Sequence, residues 1–551
     1  MYHQQVNPTG SLTGTALLAL LPLIALLILL GGLRWKAQWA GLVALAAAVA
    51  VALFSYSMPL GQALDAGAFG AALSLLQVLW ITFNAIWIYN LTVRSGHFEV
   101  LGRAFAAISD DRRVQAIVIA FSFGALLEAL AGGGSPVAIC SVMLVAAGFD
   151  PLKAAVLALV ADTAPVAFGG LGNPITVLGS TTGLSADKFG AMAGRQSAIL
   201  AVFVPAILVG IAGGWKALRQ VWPAALTAGL TFGLCQFAFS NYWSYKLCDI
   251  FAALASAGAI IALNRVWRPA DAEGGGRPVP VIAGGSVDDP DPAVVRRVGA
   301  PGGDSRTDRV KAFAPYAVIV LLFSLAQLDS VKNWLATHGI WKFAWPGLHI
   351  LNAKGKHVDT SYTLNYLGAT GTLLFVSGLI TLLILRTGLI AGARTYAATI
   401  RQFGWAIFTI LCVYGLSYVM NLSGQITTLG VWLAGAGSAF AFLSPVVGWF
   451  GVTITGTDVG SNSLFGNLQV TAAHQLNVGP TLFGAANSSG GVLGKMISPQ
   501  NLAIGTAAVG EVGAEGLLFR RVLGWSLAML LALCTIVWLQ STPVLSWMVV
   551  H

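Results

Sequence analysis

Apolar runs recur along the whole chain, and polar residues gather in short breaks between them. Residues 16–33, 40–54 and 522–539 are such runs. Each approaches the roughly 20 residues that an α-helix needs to cross a bilayer. The pattern predicts an all-α polytopic membrane protein with about twelve transmembrane helices. The first run has no Lys or Arg before it and no small-residue cleavage site after it, so it reads as a span rather than a signal peptide.

Some apolar stretches are broken, and the breaks come in pairs. "SGHFEVLG" begins at Ser95 and "SGQITTLG" at Ser423, an offset of 423 − 95 = 328. Carried on without gaps, that offset sets Gly132 on Gly460, Ser135 on Ser463 and Asn173 on Asn501. "GGGSP" at 132–136 then meets "GSNSL" at 460–464, and "LGNPI" at 171–175 meets "PQNLA" at 499–503. Each copy predicts a re-entrant helical hairpin, over 114–148 and 440–473, with tips at "GGGSP" and "TDVGSNS". A helix then follows that is interrupted at "GGLGNP" or "ISPQN". Gly and Pro open the backbone there, which hydrocarbon does not tolerate but a polar cavity does.

Charge gives direction. Arg34, Lys36, Arg94, Arg103, Arg112, Arg113, Lys216, Arg219, Arg386, Arg394, Arg401, Arg520 and Arg521 fall in loops on one side if the N-terminus lies outside. Positive loops mark the cytoplasmic face. Ser95 is then inside and Ser423 outside, so the two copies are inverted, as in secondary transporters. The domains expected are 1–94, scaffold spans; 95–185, the first repeat core; and 186–266, further scaffold. A cytoplasmic linker at 267–310 precedes scaffold spans with an external loop at 311–422. The inverted core, 423–510, and a last span, 511–551, complete the chain.

Only 9% of the 551 residues are charged, against roughly 25% in soluble proteins, so a charge inside an apolar run stands out. Glu128, Asp162 and Asp458 are three such acids, and Lys495 is the one base among them. Lys495 suits a substrate carboxylate. The acids are candidates for proton coupling, since one lysine does not neutralise three of them. Ser135, Asn173, Ser461, Asn462, Ser463, Ser498, Gln500 and Asn501 add donors at the breaks. There, the free N–H groups of half-helix starts favour anions. Packing kinks and a structural salt bridge are the plainer readings of the same residues.

The net charge of +9 is explained by orientation and does not imply nucleic acid. "SGGVLGKM" is not a phosphate loop, because Ser489 and Met496 replace the required Gly and Ser/Thr. The five cysteines read as small buried hydrophobes, so no disulfide, metal or cofactor is expected. His97, His338, His349, His357 and His474 lie at loop ends or in the external loop. A nucleophile with a base is missing, so no catalytic residue is expected.

"GALLEALAGGGSPVAI", "GLGNPITVLG", "GTDVGSNSLFGNLQ" and "NSSGGVLGKMISPQNLAIG" resemble the bacterial L-lactate permease family, which includes glycolate permeases. The resemblance covers nearly the whole chain, least well at 265–311 and after Asp329. It implies a proton symporter of the inner membrane for L-lactate, D-lactate and glycolate. It also implies an elevator-type mechanism, with scaffold spans near Ala40 and at 197–219, 222–239 and 315–328. A sodium-coupled transporter of another small organic anion is the alternative, and a channel or membrane enzyme lies further off. The oligomeric state is left open, with a homodimer among the options.

Overall fold

The computed structural model describes residues 1–29, 33, 35–131, 134–269, 304–353, 355–402, 404–511 and 513–550. Most of the expected linker, and Gly132 and Gly133 of the first hairpin tip, lie outside the described residues. The rest is overwhelmingly helical. Its few strands lie in two small pairs: Tyr2–His3 beside Ile350–Leu351, and Ile340–Ala344 antiparallel to Ser361–Asn365.

Among the described residues seven helices are long and apolar enough to cross a membrane, or eight with the pair Pro151–Ala161 and Val166–Thr182, bent by 61°. The expected dozen is not reached by length alone. Leu12–Leu26, Thr370–Ile384 and Ala439–Thr455 are shorter than a full span, and the helix Ala186–Tyr242 merges two across Gly214. Gly214 adopts φ 73°, a left-handed value that glycine takes without strain.

The two halves repeat the same element order. His97–Ala106 and Gln425–Ala434 are related by the offset of 328, each opened by a left-handed glycine, Gly96 and Gly424. A helical hairpin follows in each half. In the first, residues 112–131 contain a π-helical stretch, Ile117–Phe123, and return as Ser135–Ala146. In the second, Ala439–Thr455 returns as Asp458–Gln475. Next come the broken helices: Pro151–Ala161 with 166–182, and Pro480–Lys495 with Pro499–Ala508.

The second hairpin turns earlier than expected. Gly456 is left-handed and the Thr457 side chain accepts from the Gly460 N–H, so the helix starts at Asp458. Ser461, Asn462 and Ser463 therefore lie inside a helix and not in the tip. Gly134, left-handed in the first tip, maps by the offset to 134 + 328 = 462, six residues beyond Gly456. The gap-free pairing of "GGGSP" with "GSNSL" thus sets a tip against a helix. The first broken helix also opens earlier, at 162–165, and opens again where Gly170, Leu171 and Gly172 are left-handed.

Packing around the second break is backbone against backbone. A Cβ at Gly448, Gly490 or Gly494 would strike the carbonyl oxygen of Asn487, Pro445 or Trp449, respectively. The helices Ala439–Thr455 and Pro480–Lys495 therefore approach as small-residue membrane helices do.

Tyr2 pairs with Ile350, and its hydroxyl donates to the Ser423 carbonyl at 2.8 Å; Thr481 donates to the Val550 carbonyl. Elsewhere, Arg103 pairs with Asp304 at 2.6 Å, Asn264 donates to Ile108 O at 2.8 Å and Lys153 donates to Ala212 O at 3.0 Å. The Arg103 guanidinium holds the Asp304 carboxyl below its ordinary range.

Candidate functional site

Lys495 is the last residue of the half-helix Pro480–Lys495, where the negative end of the helix dipole favours a cation. Its Nζ lies 2.8 Å from Glu128 Oε1 and 2.9 Å from Asp162 Oδ2, and all three side chains are about 4% exposed. Glu128 stands on Gly124–Ala131, in the first arm of the first hairpin. Asp162 ends the half-helix Pro151–Ala161. Three interrupted elements thus meet through one ammonium. Gly169, past the first break, leaves the room, because a Cβ there would lie 2.6 Å from Glu128 Oε1.

Asp458 is buried beside this cluster but is not in ion-pair contact with Lys495. It accepts from the Ser488 hydroxyl, and from Asn462 Nδ2 at 3.4 Å, and it feels the Lys495 charge. Asn462 Nδ2 also donates to Pro174 O at 3.1 Å, which joins the second hairpin to the first broken helix. Asn487 Nδ2 donates to Asn462 Oδ1 at 2.9 Å and Ser461 Oγ at 3.3 Å. Gln469 extends the chain to Ser444 O at 2.8 Å and Asn487 Oδ1 at 3.4 Å.

The second break is tied to both hairpin tips. Ser498 caps Pro499–Ala508 by accepting from Asn501 N at 3.3 Å, and it also accepts from Asn501 Nδ2 at 2.7 Å. Asn501 Nδ2 reaches Gly456 O at 3.2 Å, and a Cβ on Gly134 would lie 3.0 Å from Asn501 Oδ1. Ser498 and Asn501 therefore serve each other and the tips. Gln500 is exposed beside Gly456. Ser135 is half-buried at the start of its helix, with no hydrogen bond among those described.

Several buried polar atoms around the cluster have no hydrogen-bond partner among the described residues, among them Asn173 Oδ1 just past the first break, Ser463 Oγ and Ser489 Oγ inside their helices, and Glu128 Oε2, Asp162 Oδ1 and Asp458 Oδ1. Buried polar groups are nearly always satisfied, so these are the places where a bound solute would supply partners. Sequence reasoning missed Ser489, Asn487, Gln469 and Ser488. The polar run "ANSSGG" just before "VLGKM" was the available signal. It also missed Asp249, 1% exposed, which accepts from Gln236 Nε2 at 3.3 Å. The same nitrogen donates to Ala164 O in the first break at 2.9 Å.

A family model described as L-lactate permease matches residues 15–544. The chain is 40% identical over 543 residues to "Glycolate permease GlcA" of Escherichia coli (strain K12), covering 96% of this chain and 95% of that one. It is 38% identical over 559 residues to the L-lactate permease of Bacillus subtilis (strain 168), covering 98% of each. Identity to the L-lactate permease of Escherichia coli (strain K12) is 34% over both full lengths. Among solved structures, the Alcanivorax borkumensis YdaH transporter superposes with a TM-score of 0.44 at 13% identity, covering 84% of this chain and 85% of that one. That likeness is too loose to carry an argument.

Proposed function

The chain belongs to the L-lactate permease family, and from that premise we propose that it imports a small 2-hydroxymonocarboxylate together with protons. L-lactate is the first substrate, with D-lactate and glycolate also taken. The membrane is the bacterial inner membrane. The relatives are transporters by name, and the chain is one too, not an enzyme.

The observation that carries the coupling is Lys495 between Glu128 and Asp162. With both acids ionised, the formal charge of the trio is +1 − 1 − 1 = −1. A substrate carboxylate brings it to −2. Two unit charges 4 Å apart interact by about 4 kcal/mol at an effective dielectric of about 20, so the second negative charge is unfavourable without a proton. A proton on one acid frees a donor of the ammonium, which carries three. The substrate carboxylate then takes the vacated position, and Asn173, Ser463 and Ser489, whose oxygens lack partners among the described residues, are the candidate partners for its hydroxyl. Substrate and proton enter as a pair.

The positive loops, read as cytoplasmic, put Ser95 inside and Ser423 outside, which supports an inverted arrangement of the two repeats. In this reading the hairpins are re-entrant, twelve spans enclose them, and residues 95–185 and 423–510 form a moving core. The remaining spans form the scaffold of an elevator, and 267–310 joins the halves.

A sodium-coupled reading has one supporting observation. Asp458, Ser461, Asn462 and Ser463 crowd one helix start with oxygen ligands, of which Ser463 Oγ lacks a hydrogen-bond partner among the described residues. Uptake of labelled L-lactate into proteoliposomes separates the two readings. With an inside-alkaline gradient and no sodium, accumulation that a protonophore abolishes is the expected result. Accumulation only with sodium would replace the proton by that ion.

A further inference from the structure

At the base of the first hairpin, away from the Lys495 cluster, lies a polar pocket of about 150 Å³. Arg112, Arg113, Phe149, Asp150, Lys153 and Ala212 line it. That is room for several waters or for one tetrahedral oxyanion.

Its charges are not used up internally. Arg113 is 1% exposed and pairs with Asp111 at 2.7 Å, so its own charge is balanced. Arg112 donates to the Gly148 carbonyl and lies over the Phe149 ring at 5.0 Å, while its buried Nε has no hydrogen-bond partner among the described residues. Among the described residues, Lys153 Nζ makes one hydrogen bond, to the Ala212 carbonyl at 3.0 Å. Asp150 opposes an anion, but its carboxylate is exposed and caps its own helix, accepting from Lys153 N at 3.0 Å. Arg112 and Lys153 are left as a pair of cations facing one cavity.

The depth of the pocket points to its ligand. Ala212 is followed by Trp215 and Trp222, which are 67% and 55% exposed, and Arg219 lies over the Trp215 ring at 5.6 Å. Exposed tryptophans beside basic residues mark the headgroup layer on a cytoplasmic face. Basic pockets between helices at that level bind anionic headgroups.

We propose that Arg112 and Lys153 bind a phosphate oxyanion at this site, presented by an anionic phospholipid headgroup or taken free from the cytoplasm. An anion there bridges the first arm of the hairpin, the turn at Gly148–Phe149 and the start of the half-helix that ends at Asp162. The site does not depend on which solute is transported.

The test uses the full chain in nanodiscs of phosphatidylglycerol or phosphatidylcholine, with amine-reactive labelling read by mass spectrometry. Lys153 should label at least fivefold more slowly in phosphatidylglycerol, while Lys216, outside the pocket, changes much less. Protection in phosphatidylcholine on adding inorganic phosphate, at constant ionic strength, would make the free anion the source. Equal labelling of Lys153 in every condition overturns the proposal. A second arm uses Lys153→Gln, which keeps a donor for Ala212, with Arg401→Gln as control. Phosphatidylglycerol or phosphate should raise the thermal midpoint of wild type and of Arg401→Gln, and much less that of Lys153→Gln. The same rise in all three would also overturn it.

Discussion

Lys495→Met removes the ammonium and nearly keeps the length of the side chain. Glu128 and Asp162 are then left buried without their cation. Breaking a buried pair by removing one partner costs about 3–5 kcal/mol, most of it from the uncompensated charge that stays behind. A loss of that size in folding is visible as a lowered thermal midpoint of the purified protein in detergent. In binding, the same 3–5 kcal/mol corresponds to at least about a hundredfold. The single variant alone does not separate a structural from a functional lysine, so the decisive protein is Lys495→Met with Glu128→Gln and Asp162→Asn. Replacing a whole buried ionic group by neutral side chains is often neutral or stabilising. The triple variant should therefore regain the midpoint of wild type. It should still fail to accumulate L-lactate in proteoliposomes with an inside-alkaline gradient. Accumulation by the triple variant at more than about a tenth of the wild-type rate would refute a transport role for the trio and leave Lys495 as a structural pair.

Other consequences are as direct. Glu128→Gln, Asp162→Asn and Asp458→Asn each remove one carboxylate; the one that carries the proton should abolish accumulation yet spare exchange of labelled for unlabelled substrate, and accumulation by all three would put proton carriage elsewhere. Gly169→Ala places a methyl 2.6 Å from Glu128 Oε1, so uptake should fall by about tenfold, equivalent to about 1.4 kcal/mol, and Glu128→Asp in the same chain should restore part of it. Asn487→Ala leaves the buried Asn462 Oδ1 without its donor and removes the weaker of two acceptors from Gln469 Nε2, at a cost of about 1–3 kcal/mol; an unchanged thermal midpoint would show that this network is not holding the second hairpin.

Much of this organisation was legible in the residues. Glu128, Asp162, Asp458 and Lys495 stand out because charge is rare in apolar runs, and all four are buried. Gly and Pro marked both broken helices. The pairing was not legible, since Lys495 and Glu128 are 367 positions apart and periodicity says nothing at that range. The second turn was misplaced by local competition. "GSNS" is rich in polar residues, but left-handed Gly456 and the Thr457 cap end one helix and start the next before it. Asn487 and Gln469 were overlooked because an amide within a helix looks like a solvent-facing residue until its neighbours are known. Asp249 was hidden by its place at a helix start, where a carboxylate is expected on dipole grounds alone.

The central claim is that carboxylate and proton enter together, and it is tested most directly by following the proton itself. Proteoliposomes loaded with a pH-sensitive dye, without sodium and with no imposed gradient, would receive external L-lactate at fixed pH. The account predicts prompt internal acidification that requires Lys495 and is absent from the neutral triple variant. Uptake of labelled L-lactate by the same vesicles with no change of internal pH would contradict it.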